Sequence, residues 1–332
     1  MVDWLYPNEY GLYCKPGNFY IDPWRPVRHA LITHGHADHA RVNNENVLCT
    51  LETQLIMKHR YGAAAGKHFQ VAKYGETLKI NDTSVSFFPA GHIWGSAQIL
   101  ISYKGYRTVV SGDFKRRPDP TCWQFEPVPC ETFITEATFG MPVFTHPDDS
   151  IELHKLIQSI SINEDRVHLV GCYALGKCQR IILRLRELGY HNRIYLHGSM
   201  MGLIELYKDH GFDFGDIEHA SKLEKNQLSN QLVLCPPSAL KDRWSRRFNN
   251  PVICFASGWM RILQRAKQKG VELPIVISDH ADWPELVQTL HDVNPSELLV
   301  THGREESLIH YAKQHGFNAS PLSIFHAEGE ED

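Results

Sequence analysis

Up to about position 145 the chain alternates short apolar runs with turn-forming clusters. Residues 11–14 and 18–21 flank Lys15-Pro16-Gly17, and residues 99–103 and 107–110 flank Lys104-Gly105, so two hairpins are expected. Further strands are expected at 30–33, 85–88 and 133–135. From about Ser150 the rhythm changes. Helical periodicity over 151–160, 175–188 and 203–208 alternates with strand-like runs at 167–170, 193–196, 231–234 and 252–255. That alternation predicts a parallel α/β unit. After Pro274 the first rhythm returns, with strands expected at 275–278 and 298–301.

Polar residues of the kind that bind metals recur just after these strands. His34 to His39 follow the run at 30–33, His92 follows 85–88, Asp113 follows 107–110 and Glu136 follows 133–135. His280 and His302 close the two late runs. Such residues stop, an α/β block intervenes, and they resume. The expected organisation is therefore one discontinuous catalytic domain, 1–145 and 256–325, with an inserted domain at 146–255 and an acidic tail at 326–332.

Composition narrows the function classes. Of 332 residues, 42% are apolar, enough for a core, and the net charge of -4 excludes a polycation that holds nucleic acid by charge alone. Eight cysteines form no Cys-x-x-Cys pair and read as buried thiols in a reducing compartment. The N-terminus has no basic region followed by an apolar run, and no apolar stretch is long enough to span a bilayer. A cytoplasmic protein without a membrane partner is expected.

Of the 20 histidines, one group stands out. His34-Gly35-His36-Ala37-Asp38-His39 packs four ligand-type side chains into six positions behind an apolar strand. A lone histidine there reads as structural. This spacing lets alternate imidazoles converge while Asp38 and His39 turn toward a neighbouring ion. Imidazole and carboxylate ligands suit zinc, and also manganese or iron.

The six-residue segment resembles the His-x-His-x-Asp-His signature of the metallo-β-lactamase superfamily, and other superfamily positions follow in order. Asp22 in Tyr20-Ile21-Asp22-Pro23 resembles the first-motif aspartate, His92 in Ala90-Gly91-His92 the third-motif histidine, and Asp113 in Ser111-Gly112-Asp113 the bridging aspartate. Thr135-Glu136-Ala137-Thr138-Phe139-Gly140, Ser278-Asp279-His280-Ala281-Asp282 and Val300-Thr301-His302-Gly303 resemble motifs A, B and C of the β-CASP nucleases. Ala174 to Gln179 resembles the helix-opening segment of the β-CASP insert. The resemblance covers nearly the whole chain. It implies a metallo-β-lactamase αββα sandwich with an inserted β-CASP α/β domain. It also implies two divalent metal ions, zinc first and manganese as the alternative. One would be held by His34, His36 and His92, the other by Asp38, His39 and His302, with Asp113 bridging both. Asp22 and Glu136 would orient metal-bound histidines, Asp38 would act in catalysis as well as binding, and His280 would protonate the leaving oxygen or bind the phosphate.

The segments 11–14 and 19–26 most resemble compact prokaryotic ligase-associated DNA exonucleases, and Ser257-Gly258-Trp259 resembles a Gly-Trp segment of the Artemis-type enzymes. His302 in motif C instead matches the RNA-directed members. The implied function is a DNA exonuclease acting in DNA repair on single strands or DNA ends, in functional association with a DNA ligase and a helicase. The alternatives are an RNase J-like RNA-processing nuclease, a small-molecule metallo-hydrolase and a non-catalytic nucleic-acid-binding scaffold. The insert argues against the small-molecule enzyme, and the complete ligand set argues against the scaffold. Lys115, Arg116 and Arg117, just after Asp113, are candidates for a phosphate track, together with Lys177, Ser257, Gly258 and Trp259 in the later segments.

Overall fold

The computed structural model describes residues 3–224 and 229–322; the acidic tail at 326–332 lies outside them. The chain forms two compact units. One takes in the residues up to 145 and those from 280 onward, and the other takes in 146–279.

The first unit contains two sheets, with elements numbered along the chain. The first sheet runs in order β1 (Leu5–Asn8), β2 (Gly11–Cys14), β3 (Phe19–Ile21), β4 (His29–Leu31), β5 (Asn46–Cys49) and β6 (His68–Val71). The second contains β7 (Thr77–Ile80), β8 (Thr83–Pro89), β9 (Ala97–Tyr103), β10 (Tyr106–Val110), β11 (Thr132–Ala137), β18 (Glu297–Gly303) and β19 (Ala319–Pro321). Their order is β19-β18-β11-β10-β9-β8-β7. Strand alternation sorts the side chains into layers. Leu12, Cys14, Phe19 and Ile21 of the first sheet meet Val85, Phe87, Ile99 and Ile101 of the second in one core. The opposite face of the second sheet, with Val109, Phe133, Leu298 and Val300, packs on α6 (Trp283–Val293) and α7 (Glu305–Gln314). The opposite face of the first sheet, at Ala30, Val47 and Cys49, packs on α1 (Leu51–Tyr61) through Met57. This is an αββα sandwich.

Local chemistry sets the helices. In α6, Leu286, Leu290 and Val293 recur on one buried face. Asp282 caps its first turn and forms a capping box with Glu285. Thr50 caps α1 by accepting from the Thr53 amide.

The second unit is a six-stranded, all-parallel sheet in order β14-β13-β15-β12-β16-β17. Its strands are β12 (His168–Gly171), β13 (Ile194–Leu196), β14 (Ile217–His219), β15 (Leu232–Cys235), β16 (Val252–Ala256) and β17 (Leu273–Ile275). The intervening helices include α2 (Asp149–Ile162), α3 (Lys177–Glu187), α4 (Gly198–Asp209) and α5 (Leu263–Lys269). The inserted α/β unit is thus present, but its second boundary falls after 279 rather than at 255. The strand expected at 275–278 is β17, which ends at Ile275 and pairs in parallel with β16. A short apolar run carries no mark of which sheet it will join.

His168, on the central strand of this unit, hydrogen-bonds Ser159 Oγ through Nε2 at 2.9 Å. Burial pushes its pKa down to about 4, with Arg166 adding to the effect. The unfolded chain, with an ordinary histidine near 6.5, takes up that proton first. Its contribution to stability is therefore complete above about pH 6.5 and is lost as pH falls toward 4. We predict that the melting temperature of the wild type falls more steeply between pH 7 and 4.5 than that of His168→Gln. Parallel curves for the two proteins would contradict this.

Candidate metal centre

The ligand-type residues converge where strands of both sheets end. His34 and His36 follow β4, His92 follows β8, and Asp113 follows β10. Two glycines make the approaches. Gly91 has φ +73°, and a Cβ there would lie 2.2 Å from the Lys115 carbonyl oxygen. Gly112 has φ +56°, and a Cβ would lie 2.8 Å from Thr33 Cβ. An L side chain at either position would displace His92 or Asp113.

One ligand atom each from His34, His36, His92 and Asp113 lie within 4.8 Å of one another. His92 Nε2 is 3.0 Å from His36 Nδ1. Asp113 Oδ2 lies 3.4 Å from His34 Nε2, 3.8 Å from His92 Nε2 and 3.3 Å from His39 Nε2. His39 Nε2 is also 3.7 Å from Asp38 Oδ2. His302, on β18 with φ +62°, places its ring 5.9 Å from that of His39. Asp38, His39, Asp113 and His302 share the wall of a narrow cavity of about 50 Å³ with Trp24, Glu136 and Thr301. The structure therefore brings all seven expected metal-ligand residues to one place. Asp38, His39 and His302 fall outside the group of four, although the His39 ring centre is 4.2 Å from that of His34.

The hydrogen bonds behind the cluster aim its nitrogens. Thr33 Oγ1 lies 3.0 Å from His34 Nδ1, which leaves Nε2 directed at the cluster. Asp22 Oδ2 receives His39 Nδ1 at 2.7 Å, and Asp22 also accepts from the Thr33 amide and hydroxyl. His34 is fully buried, and its Nε2 makes no hydrogen bond. A buried polar atom of this kind calls for a partner. A divalent cation fits the observed imidazole and carboxylate donors.

Electrostatics agree. Burial, then the neighbouring imidazoles of His39 and His92, hold His34 well below its usual pKa, so it is neutral and able to ligate. Burial opposes charge on His39, but Asp113, Asp38 and Asp22 outweigh it and raise the pKa well above the ordinary value. Burial likewise opposes ionisation of Asp113, yet His39 and His280 hold its carboxyl well below the usual range.

Glu136 does something other than expected. Its carboxylate accepts from the Phe114 and Thr138 amides and lies 3.0 Å from His280 Nδ1 through both oxygens. Among the described residues its imidazole partner is thus His280, not one of the proposed ligands. Asp113, Glu136 and His280 form a second group with ligand atoms within 4.8 Å of one another. Thr33 and Thr138 also take part, and the linear sequence marks no individual role for either. Thr33 is tied to Asp22 across the fold, while the Thr138 amide reaches the Glu136 carboxylate two residues back.

The expected phosphate track is not presented as one. Lys115 is 2% exposed. Arg116 pairs with Asp292 at 2.5 Å and Arg117 with Asp282 at 2.6 Å, both along α6. Lys177, Ser257, Gly258 and Trp259 belong to the other unit. Lys177 is fully buried 3.8 Å from Asp279. Ser257 and Gly258 are buried, Ser257 accepts from the Trp259 amide, and the Arg265 guanidinium lies 4.1 Å from the Trp259 ring centre.

No family model matches the chain. It is 27% identical over 322 residues, 96% of its own length and 31% of the other, to "Probable DNA ligase" of Opitutus terrae. It is 29% identical over 155 residues, 45% of this chain and 17% of the other, to "Endoribonuclease ysh1" of Aspergillus fumigatus. The chain thus spans less than a third of the length of either relative. Among solved structures it resembles a protein of unknown function from Enterococcus faecalis V583. The TM-score is 0.57 at 13% identity, over 99% of this chain and 85% of that one, a likeness of fold.

Asp22 supplies the test of the hydrogen-bonded support. Asp22→Ala is expected to weaken divalent-metal affinity about 10- to 100-fold, because His39 loses the carboxylate that orients it. Competition with a chromogenic chelator measures this, and wild-type affinity in the variant would remove Asp22 from the design.

Proposed function

We propose that the chain is a metal-dependent nuclease of the β-CASP branch of the metallo-β-lactamase superfamily, hydrolysing phosphodiester bonds, with DNA digested from an end. The observation that carries the reading is the buried carboxylate of Asp113 within 3.8 Å of three imidazole nitrogens. In this reading His34, His36 and His92 hold one divalent ion, Asp38, His39 and His302 hold a second, and Asp113 serves both. Zinc is the preferred ion and manganese the alternative. Ions held there supply an activated water near neutral pH and offset the charge of a phosphodiester.

The chain's own groups do the rest. Asp22 fixes the Nδ1 proton of His39 and so presents Nε2 to the cluster. Glu136 does the same for His280, whose Nδ1–H donates to the carboxylate. In its imidazolium form His280 can donate its Nε2 proton to a leaving oxygen or to a phosphate oxygen.

DNA is favoured by the ligase-named relative, which matches nearly the whole chain. A role in DNA repair in the cytoplasm, alongside a ligase and a helicase, follows from that choice. No helix among the described residues is long and apolar enough to cross a membrane. RNA is the second reading, favoured by the endoribonuclease relative and by the histidine at 302.

End-labelled single- and double-stranded DNA and RNA, each with and without a strong chelator, test the assignment. Metal-dependent shortening of DNA from one end is expected. Faster digestion of RNA would transfer the protein to the second reading, and activity surviving the chelator would defeat both. For His280→Ala we predict retained metal content and a rate reduced about 10²- to 10⁴-fold. The loss should be smaller on a substrate with a good leaving group. Loss of metal from this variant would instead make His280 a ligand.

A further inference from the structure

The outward face of β1–β3 carries a row of aromatic rings that the catalytic reading leaves unused. Alternation sends Leu5, Leu12, Cys14, Phe19 and Ile21 into the core. Tyr6, Tyr13 and Tyr20 therefore face the other way and stand opposite one another, Tyr6 against Tyr13 and Tyr13 against Tyr20. All three are half-buried. Ring centres are 5.8 Å apart for Tyr6 and Tyr13, and 4.7 Å apart for Tyr13 and Tyr20. Tyr10, in the β1–β2 turn and 37% exposed, extends the row at 6.1 Å from Tyr20.

Trp24 links the turn that carries Tyr10 to the metal-type cavity. The Trp24 amide donates to the Tyr10 carbonyl at 3.1 Å, and Trp24 Nε1 donates to the Glu9 carbonyl at 2.6 Å. That places Trp24 on the same turn, and Trp24 also lines the cavity with Asp38, His39 and Asp113. The rings are held in place: Tyr13 OH donates to Asn18 Oδ1 at 3.0 Å, and Asn8 Nδ2 donates to Tyr20 OH at 3.3 Å.

Two observations select the occupant. The cavity brings together ligand-type groups, Asp38, His39 and Asp113, which suit a phosphodiester oxygen held through a cation rather than the face of a nucleobase. Bases adjoining a phosphate bound there must lie outside it. Beside the row Arg25 lies 3.8 Å from Glu9, both exposed, so positive charge there is offset by negative charge. Surfaces that hold a strand through its bases are built from aromatic faces, which accept any base. In a duplex those base faces are already stacked.

Resting on the nuclease reading, we propose that Tyr6, Tyr13, Tyr20 and Tyr10, with Trp24, form a stacking platform for the unpaired bases of a single strand whose phosphodiester enters the cavity at Asp38, His39 and Asp113. Affinity then comes from bases more than from phosphates, and its salt dependence is shallow.

The test uses the full chain held in chelator, so that binding is read without cleavage. Fluorescence anisotropy compares a short labelled oligothymidylate with an abasic strand of the same length and charge. The wild type should bind the abasic strand at least about 5-fold more weakly. Tyr13→Leu and Tyr20→Leu should each weaken binding of the oligothymidylate about 5- to 100-fold and leave the abasic strand unaffected. Tyr13→Phe should restore it, which a merely structural loss of a cross-strand pair would not separate by strand type. Equal affinity of the wild type for the two strands overturns the platform without any variant having to fold. So does a Leu variant that binds the oligothymidylate as the wild type does. If the metal-loaded wild type digests the strand but fails to discriminate, only the platform falls. If it neither binds nor digests nucleic acid, the nuclease reading falls with it.

Discussion

The carboxylate of Asp113 is the group around which the candidate centre is organised. It is 4% exposed, and a buried carboxylate is costly unless positive charge or hydrogen-bond donors surround it. Three imidazoles meet that demand, His34 and His39 from one six-residue segment and His92 from after β8, each with Nε2 within 3.8 Å. Truncating Asp113 would leave them crowded together without the charge that draws them in. The arrangement also divides the histidines electrically. Burial keeps His34 neutral, while Asp113, Asp38 and Asp22 overcome burial at His39 and favour its charged form. A centre that strongly favours positive charge yet keeps neutral imidazole nitrogens available is suited to a cation.

That crowding is tolerable because two of these imidazoles, His34 and His39, are aimed from behind. Asp22 holds His39, Thr33 lies against His34 Nδ1, and Asp22 in turn accepts from Thr33. His39 and His34 therefore share one support, which couples the two halves of the centre through the backbone of a single loop. On the far side, Glu136 anchors His280 and two backbone amides. The strands end on one rim, and the glycines at 91 and 112 let the chain turn tightly enough to bring His92 and Asp113 together.

The cations tell a different story from the imidazoles. Lys115, Arg116, Arg117 and Lys177 are spent on the fold, buried or paired with acids. In the second unit, Arg180, 1% exposed, is hydrogen-bonded to Ser278 O and paired with Asp279 and Asp149. Pairs of this kind specify one arrangement rather than provide a sticky surface, and breaking one leaves a buried charge uncompensated. With cations so engaged and a net charge of -4, aromatic faces are the better candidate for contact with a strand.

The linear sequence marked the candidate ligand set and determined most of the elements. Six residues with four ligand-type side chains, and strand-like runs ending at His92, Asp113, Glu136 and His302, are legible because ligand chemistry and strand alternation are local properties. The change from hairpin rhythm to helix–strand alternation marked the insert for the same reason. Only the tertiary structure decided which sheet β17 joins, because a three-residue apolar run carries no record of its neighbours. Only it showed that Glu136 faces His280, and that basic residues beside Asp113 turn toward α6 instead of solvent. Side-chain direction depends on partners more than a hundred residues away, Asp282 and Asp292 for these arginines. The same limit hid the tyrosine row. Tyr6, Tyr13 and Tyr20 are unremarkable in sequence and become one surface only when antiparallel register sets them side by side.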